Sequence, residues 1–204
     1  MHPRSLTAAE RHKRAALPPR ERILMAARDL IFRHGIRAVS VDEIAEAADS
    51  NKMTLYRHFS SKDELVAECL RLFEREVDDA WEQNALAHRG DPKGQLVSWL
   101  RLVFEYKSSK TDQGCPVVNV AVELRETDHP ARRVIEEFKT KQRERLLQLC
   151  RETGLREPEQ FADELFLLLE GARISLQSVG PAGPGARFVS MIESLIAEHS
   201  RRPH

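Results

Sequence analysis

The chain has 204 residues, 41% hydrophobic and 31% charged, with 9 Gly and 10 Pro. That balance allows one large or two small domains with a real core, and excludes collagen, wholesale disorder and a disulfide scaffold. The 32 basic and 32 acidic residues cancel overall but not locally: residues 1–62 hold 12 against 7, and residues 63–204 hold 20 against 25. A basic segment ahead of an acidic one fits a polyanion partner for the first part alone, although chance also yields such asymmetry. No apolar run approaches the ~18 residues of a membrane helix, since the longest, such as Leu165 to Leu169, which stops at Glu170, are far shorter. Residues 1–22 are basic and polar, without the apolar stretch of a signal peptide. Cys69, Cys115 and Cys150 are odd in number and far apart. They fit a reducing cytoplasm better than disulfides or a zinc site.

Helical patterns follow one another along the chain, with few aromatics and no Asn-Gly or Asp-Gly hairpin turn. Residues 1–17 read as a disordered basic arm. Pro18 and Pro19 suit a first helical turn, and a helix follows to about His34, with Ile23, Ala27, Leu30 and Ile31 inward. Gly35 ends it. Ser40 and Glu43 form a capping box for a short helix in which Val41, Ile44, Ala45 and Ala48 make one buried stripe. Ala48 to Asn51 interrupts the periodicity for about one turn, and Lys52 to Phe59 resumes it with Asn51 as cap. A second box, Ser61 to Glu64, opens a long helix to about residue 84. Helix, short turn and short helix within 20 residues is the helix-turn-helix layout.

Further helices are expected over about 92–108 (Leu96, Trp99, Leu100, Val103 and Phe104 inward), 115–126, 128–153 (Ile135, Phe138, Leu146 and Leu149 inward), 159–179 and 186–199. Loops at Arg89–Pro92 and Thr111–Gly114 separate them, and Gly180–Gly185 breaks the chain before the last. The expected architecture is all-α, about nine helices: a helix-turn-helix domain at 18–64 and a helical bundle at 65–204.

A recognition helix needs small, polar or cationic side chains outward, where base edges and phosphates lie. Lys52, Thr54, Tyr56, His58 and nearby Lys62 supply them, while Leu55 and Phe59, four apart, point inward. Thr54 and Tyr56 can donate to phosphate oxygens, and Lys52 and Lys62 can neutralise phosphates. Ser40, at the start of the preceding helix, can add to these contacts. On periodicity alone, a solvated face of an ordinary helical hairpin fits equally well.

The run Arg22 to Ala27 through Phe32 and Gly35, then Val41 to Ala45, then Thr54-Leu55-Tyr56-Arg57-His58-Phe59-Ser60-Ser61-Lys62-Asp63-Glu64-Leu65, resembles the DNA-binding region of TetR/AcrR-type transcriptional regulators. The specific part covers about 50 residues, and the rest is similar only in layout. The resemblance implies a homodimer with two recognition helices in successive major grooves of a palindromic operator. It also implies a C-terminal domain that binds a small effector and thereby lowers DNA affinity, so that the regulator is a repressor. Two residues depart from the family: Asp49 stands where Gly is usual, and Ser50 where an apolar residue is usual. Met53 replaces a small residue and can meet a thymine methyl. An altered operator, rather than lost DNA binding, is expected. Lys62→Ala is expected to weaken binding to all sequences and flatten its salt dependence.

In the effector domain, Cys115 begins a helix, where the dipole lowers a thiol pKa, and Asn119 and Glu123 follow on its side. Gly-Cys-x-x-x-Asn resembles a branch of the family in which some members sense electrophiles or oxidants through this thiol. A buried small residue is the other reading of Cys115. Trp99, Phe104, Asn119, Glu123, Phe138, Phe166 and Arg173 are candidate pocket residues, each of which also fits plain core. Arg173 and Glu170 fit a pair with each other or across a dimer seam, and the last two helices are the expected seam. No nucleophile elbow, phosphate loop, dinucleotide fingerprint or metal cluster is present in the sequence. No catalytic residue, cofactor or metal is expected. A helical adaptor without a DNA target and a Cys-dependent enzyme stand as alternatives.

Overall fold

Prolines open five of the nine α-helices found among the described residues, because a first-turn position needs no N–H and accepts a fixed φ. The computed structural model describes residues 16–110 and 115–200, with backbone alone for 106–110. The helices are α1 (Pro19–His34), α2 (Val41–Ala47), α3 (Lys52–His58), α4 (Lys62–Ala87), α5 (Pro92–Lys110), α6 (Pro116–Glu123), α7 (Pro130–Glu152), α8 (Pro158–Val179) and α9 (Phe188–Ser200). A 3₁₀ turn, Pro184–Arg187, precedes α9. The chain is all-α, as its periodicity predicts. The expected arm (residues 1–17) and the loop at 111–114 fall almost wholly outside the described residues.

α6 ends three residues before its expected limit. The Arg132 guanidinium donates to the carbonyls of Leu124, at 2.6 Å, and Glu126, at 2.5 Å, which fixes residues 124–126 in a non-helical path. At the start of α7, His129 Nδ1 accepts the N–H of Ala131 at 3.1 Å, so the ring caps the helix.

The chain divides into two units, residues up to 73 with 119–134, and 74–118 with 135 onward. The divisions fall inside α4, α6 and α7. In the first unit, Ile23, Ala27 and Ile31 of α1 meet Ile44 and Ala45 of α2, Leu55 of α3, Phe59, and Leu65, Val66 and Leu70 of α4 in one buried core. Each such side chain contributes about 1.5–3 kcal/mol on burial. Phe32 meets Phe73 edge to face at 6.0 Å. Gly35 ends α1 with φ 85, a left-handed value that a Cβ disfavours.

The second unit is built on Leu96, Trp99, Leu100, Leu146, Leu149, Phe161, Leu165, Phe188, Ile192 and Ile196. Trp81 stands edge-on to Trp99 at 4.9 Å, and Phe104 packs on Phe188 at 4.6 Å. On α7, Phe138, Leu146 and Leu149 are buried as expected, while the expected Ile135 is half-buried. On α8 and α9, Leu167, Ile174 and Met191 are exposed apolar residues.

Candidate nucleic-acid interface

Three local devices position α3. Ser40 Oγ accepts the Glu43 N–H at 3.2 Å, and the Glu43 carboxylate accepts the Ser40 N–H at 2.7 Å, so the expected capping box of α2 is complete. These bonds also hold the Glu43 carboxyl below its usual range. The turn after α2 passes through Asp49 at φ 49, the left-handed conformation that Asp tolerates better than most residues. Asn51 Oδ1 then accepts the Thr54 N–H at 2.9 Å and caps α3. The second box is half formed: Ser61 Oγ accepts the Glu64 N–H at 3.0 Å, while the Glu64 carboxylate turns to Arg71.

Leu55 is 0% exposed and Phe59 is buried, so α3 sits on the core by the two residues its spacing predicts. The opposite face is open. Met53 is 83% exposed and Tyr56 46%, with Lys52 exposed beside them and Thr54 half-buried. Lys52 makes an exposed pair with Asp42 at 3.3 Å, a contact of small energetic value that a phosphate can replace. His58 is half-buried, and its Nε2 has no partner among the described residues.

Two residues that matter here escaped the sequence reading. Arg57 is exposed and lies one helical turn from Met53, at the centre of the face opposite Leu55 and Phe59. The spacing of the buried pair alone was enough to find it. Arg22, on α1, donates from Nε to the Ala48 carbonyl at 3.1 Å and from Nη2 to the Asp49 carbonyl at 3.2 Å. It ties α1 to the turn that aims α3. Nothing in local periodicity marks it, because its partners are backbone oxygens 26 and 27 residues away.

Lys62 is placed differently from the other candidates. Its Nζ donates to the Ile36 carbonyl at 2.5 Å, and burial pulls its pKa down. Lys62→Ala is therefore expected to weaken DNA binding by loosening the 35–37 loop. An unchanged salt slope in a binding titration puts its role in the loop, whereas a slope lowered by about one puts it at a phosphate.

The effector candidates separate. Trp99, Phe104, Cys115, Phe138, Phe166 and Arg173 belong to the second unit, and Asn119 and Glu123 to the first. Glu123 accepts the Ile36 N–H at 2.8 Å and the Arg37 N–H at 3.3 Å. Its carboxylate is thus engaged by backbone rather than turned to a ligand. In the second unit, Glu170 takes Lys139 at 2.6 Å and Arg173 at 3.0 Å, so Arg173 and Glu170 do pair along α8. The Lys139 ammonium also lies 5.7 Å from the Phe166 ring centre. Arg173 is only 9% exposed; its Nη2 lies 3.4 Å from the Val103 carbonyl, and its Nε has no partner among the described residues.

All three cysteines are buried and reduced. Burial pushes the Cys69 thiol far up and the Cys150 thiol up to about 12. No group of three or more His, Cys, Asp or Glu able to hold a metal is found among the described residues. No helix there is long and apolar enough to cross a membrane.

A short capped helix after a left-handed turn, seated by two apolar residues and presenting a cationic and polar face, is a helix-turn-helix domain. The family model described as bacterial regulatory proteins, tetR family, matches residues 23–69. The match is confined to the helix-turn-helix region and the start of α4. It is 29% identical over 124 residues to an HTH-type transcriptional regulator of the lacX 3′ region of Lactococcus lactis, covering 58% of this chain and 61% of that one. It is 30% identical over 88 residues to the HTH-type transcriptional regulator QacR of Staphylococcus aureus, covering 43% and 47%. The chain thus spans about half to three fifths of the length of these relatives. The crystal structure of SCO4454, a TetR-family transcriptional regulator from Streptomyces coelicolor, is similar in fold, with a TM-score of 0.83 and 23% identity over 90% of this chain and 96% of that one.

Proposed function

We propose that the protein is a homodimeric repressor that binds a palindromic operator and leaves it when a small effector occupies the second unit. The observation that carries this reading is the outward face of α3, where Lys52, Met53, Tyr56 and Arg57 are all exposed. Those residues are available to phosphates and base edges, with Thr54, His58 and the Ser40 cap at the margins. The protein then works in the bacterial cytoplasm, where its operator lies.

Two features of the second unit support the remaining parts of the reading. Leu167 is 69% exposed and Ile174 48%, seven residues apart on one face of α8, with exposed Met191 on α9. Apolar residues at that spacing suit a two-fold helical seam. For the effector, Phe104, Cys115, Phe138 and Phe166 offer apolar surface, with buried Trp99 as backing. Arg173 offers an N–H that an acceptor oxygen of the ligand would satisfy.

The test is a double change at the seam, Leu167→Glu with Ile174→Glu. The expected result is a mass halved in light scattering, and an operator affinity lowered at least 100-fold because each half-site is then bound alone. An unchanged mass, or a monomeric native protein, contradicts the dimer.

A further inference from the structure

We infer that Glu123, the last residue of α6, is a positioning residue for DNA binding: its carboxylate clasps the loop between α1 and α2 and so sets the entry to the helix-turn-helix. The inference rests on the operator-binding reading, and it gives that reading a defined point of regulation.

The clasp has two jaws on one peptide segment. Glu123 Oε2 accepts the N–H groups of Ile36, at 2.8 Å, and Arg37, at 3.3 Å. Lys62 Nζ donates to the carbonyl of Ile36 at 2.5 Å. Both polar groups of one loop residue are therefore held by charged side chains, one from α6 and one from α4. Hydrogen bonds to charged groups are the stronger class. The approach is close enough to constrain sequence: a Cβ on Gly35 would lie 2.5 Å from Glu123 Oε1, so the carboxylate fits only above a glycine. Gly35 thus meets two demands at once, a left-handed φ and an open face.

Stability of α6 does not explain this residue. A carboxylate at a helix C-terminus faces the negative end of the dipole and is unfavourable there. Its partners lie instead 86 and 87 residues earlier in the chain, just ahead of Ser40, the N-cap of α2. The loop is anchored apolarly by Ile36 and Val39, both buried, so a displaced Glu123 shifts a short, stiff segment rather than a slack one. Beside the clasp, Arg37, Asp63, Glu123, Leu124 and His129 line an open cavity of about 320 Å³, which leaves the loop room to move. Any event that draws the end of α6 away releases two N–H groups together, and α2 loses its fixed entry.

The test uses the full-length protein and two readouts, operator affinity and amide hydrogen exchange without DNA. Glu123→Ala is expected to speed exchange at Ile36 and Arg37 at least tenfold and to weaken operator binding by a similar factor. Exchange in α4 at Leu65 to Leu70 should be unchanged, which shows that the unit stays folded. Glu123→Gln keeps an acceptor oxygen for the same two N–H groups and is expected to restore most of both effects. Gly35→Ala is expected to mimic Glu123→Ala, and the two changes together to cost less than their separate effects combined. Unaltered exchange at Ile36 and Arg37 in Glu123→Ala overturns the clasp, and so does a Gln variant as weak as the Ala variant. Exchange that responds as expected while operator affinity does not move overturns the positioning role and leaves operator binding standing. A native protein with no operator, whose exchange still responds, places the failure in the DNA-binding reading instead.

Discussion

Arg57→Ala is expected to lower operator affinity at least tenfold and to reduce the slope of log affinity against log salt by about one, if its partner is a phosphate. Should Arg57 instead read a guanine edge, the loss is about 1–3 kcal/mol and falls on one base position, with less change in salt slope. Both outcomes follow from where α3 places it, one turn from Met53 on the face turned away from Leu55 and Phe59. No carboxylate partner of Arg57 is found among the described residues, so its removal exposes no buried charge and the melting temperature should hold. Loss of affinity together with a fallen melting temperature would show that Arg57 supports the fold rather than the interface.

Leu55→Ala has the largest expected effect on stability. Leu55 is 0% exposed where α3 packs on α1 and α2, and truncating such a residue costs about 2–5 kcal/mol. A small helical core has little to spare, so the first unit should melt early while the second unit stays folded. Calorimetry is expected to show a separate low-temperature transition, and light scattering an unchanged mass. A single transition shifted as a whole would show instead that the two units unfold together.

The sequence revealed those parts of the molecule that rest on local chemistry. Caps, prolines and the Leu55–Phe59 spacing placed the first four helices to within a few residues, because each signal acts over one or two turns. The outward face of α3 is legible for the same reason, and the same spacing places Arg57 on it. What stayed hidden depends on long-range partners. Arg22 holds carbonyls in the turn, Lys62 turns onto Ile36, and Glu123 reaches back to the α1–α2 loop. All three bind backbone, which carries no sequence signature. Lys62 and Glu123 were therefore read by their charge, as a phosphate contact and a pocket residue. The exposed Leu167 and Ile174 were hidden differently, since apolar residues lie on both the buried and the open sides of α8.

The central claim is sequence-specific binding of duplex DNA by a dimer. The most direct test is selection of DNA from a random pool by the purified protein, with its mass in solution measured alongside. The account predicts a dimer that enriches a palindrome whose half-sites lie about one helical turn apart, and an affinity for it that falls steeply with salt. A well-folded protein that enriches no sequence at any salt concentration contradicts it.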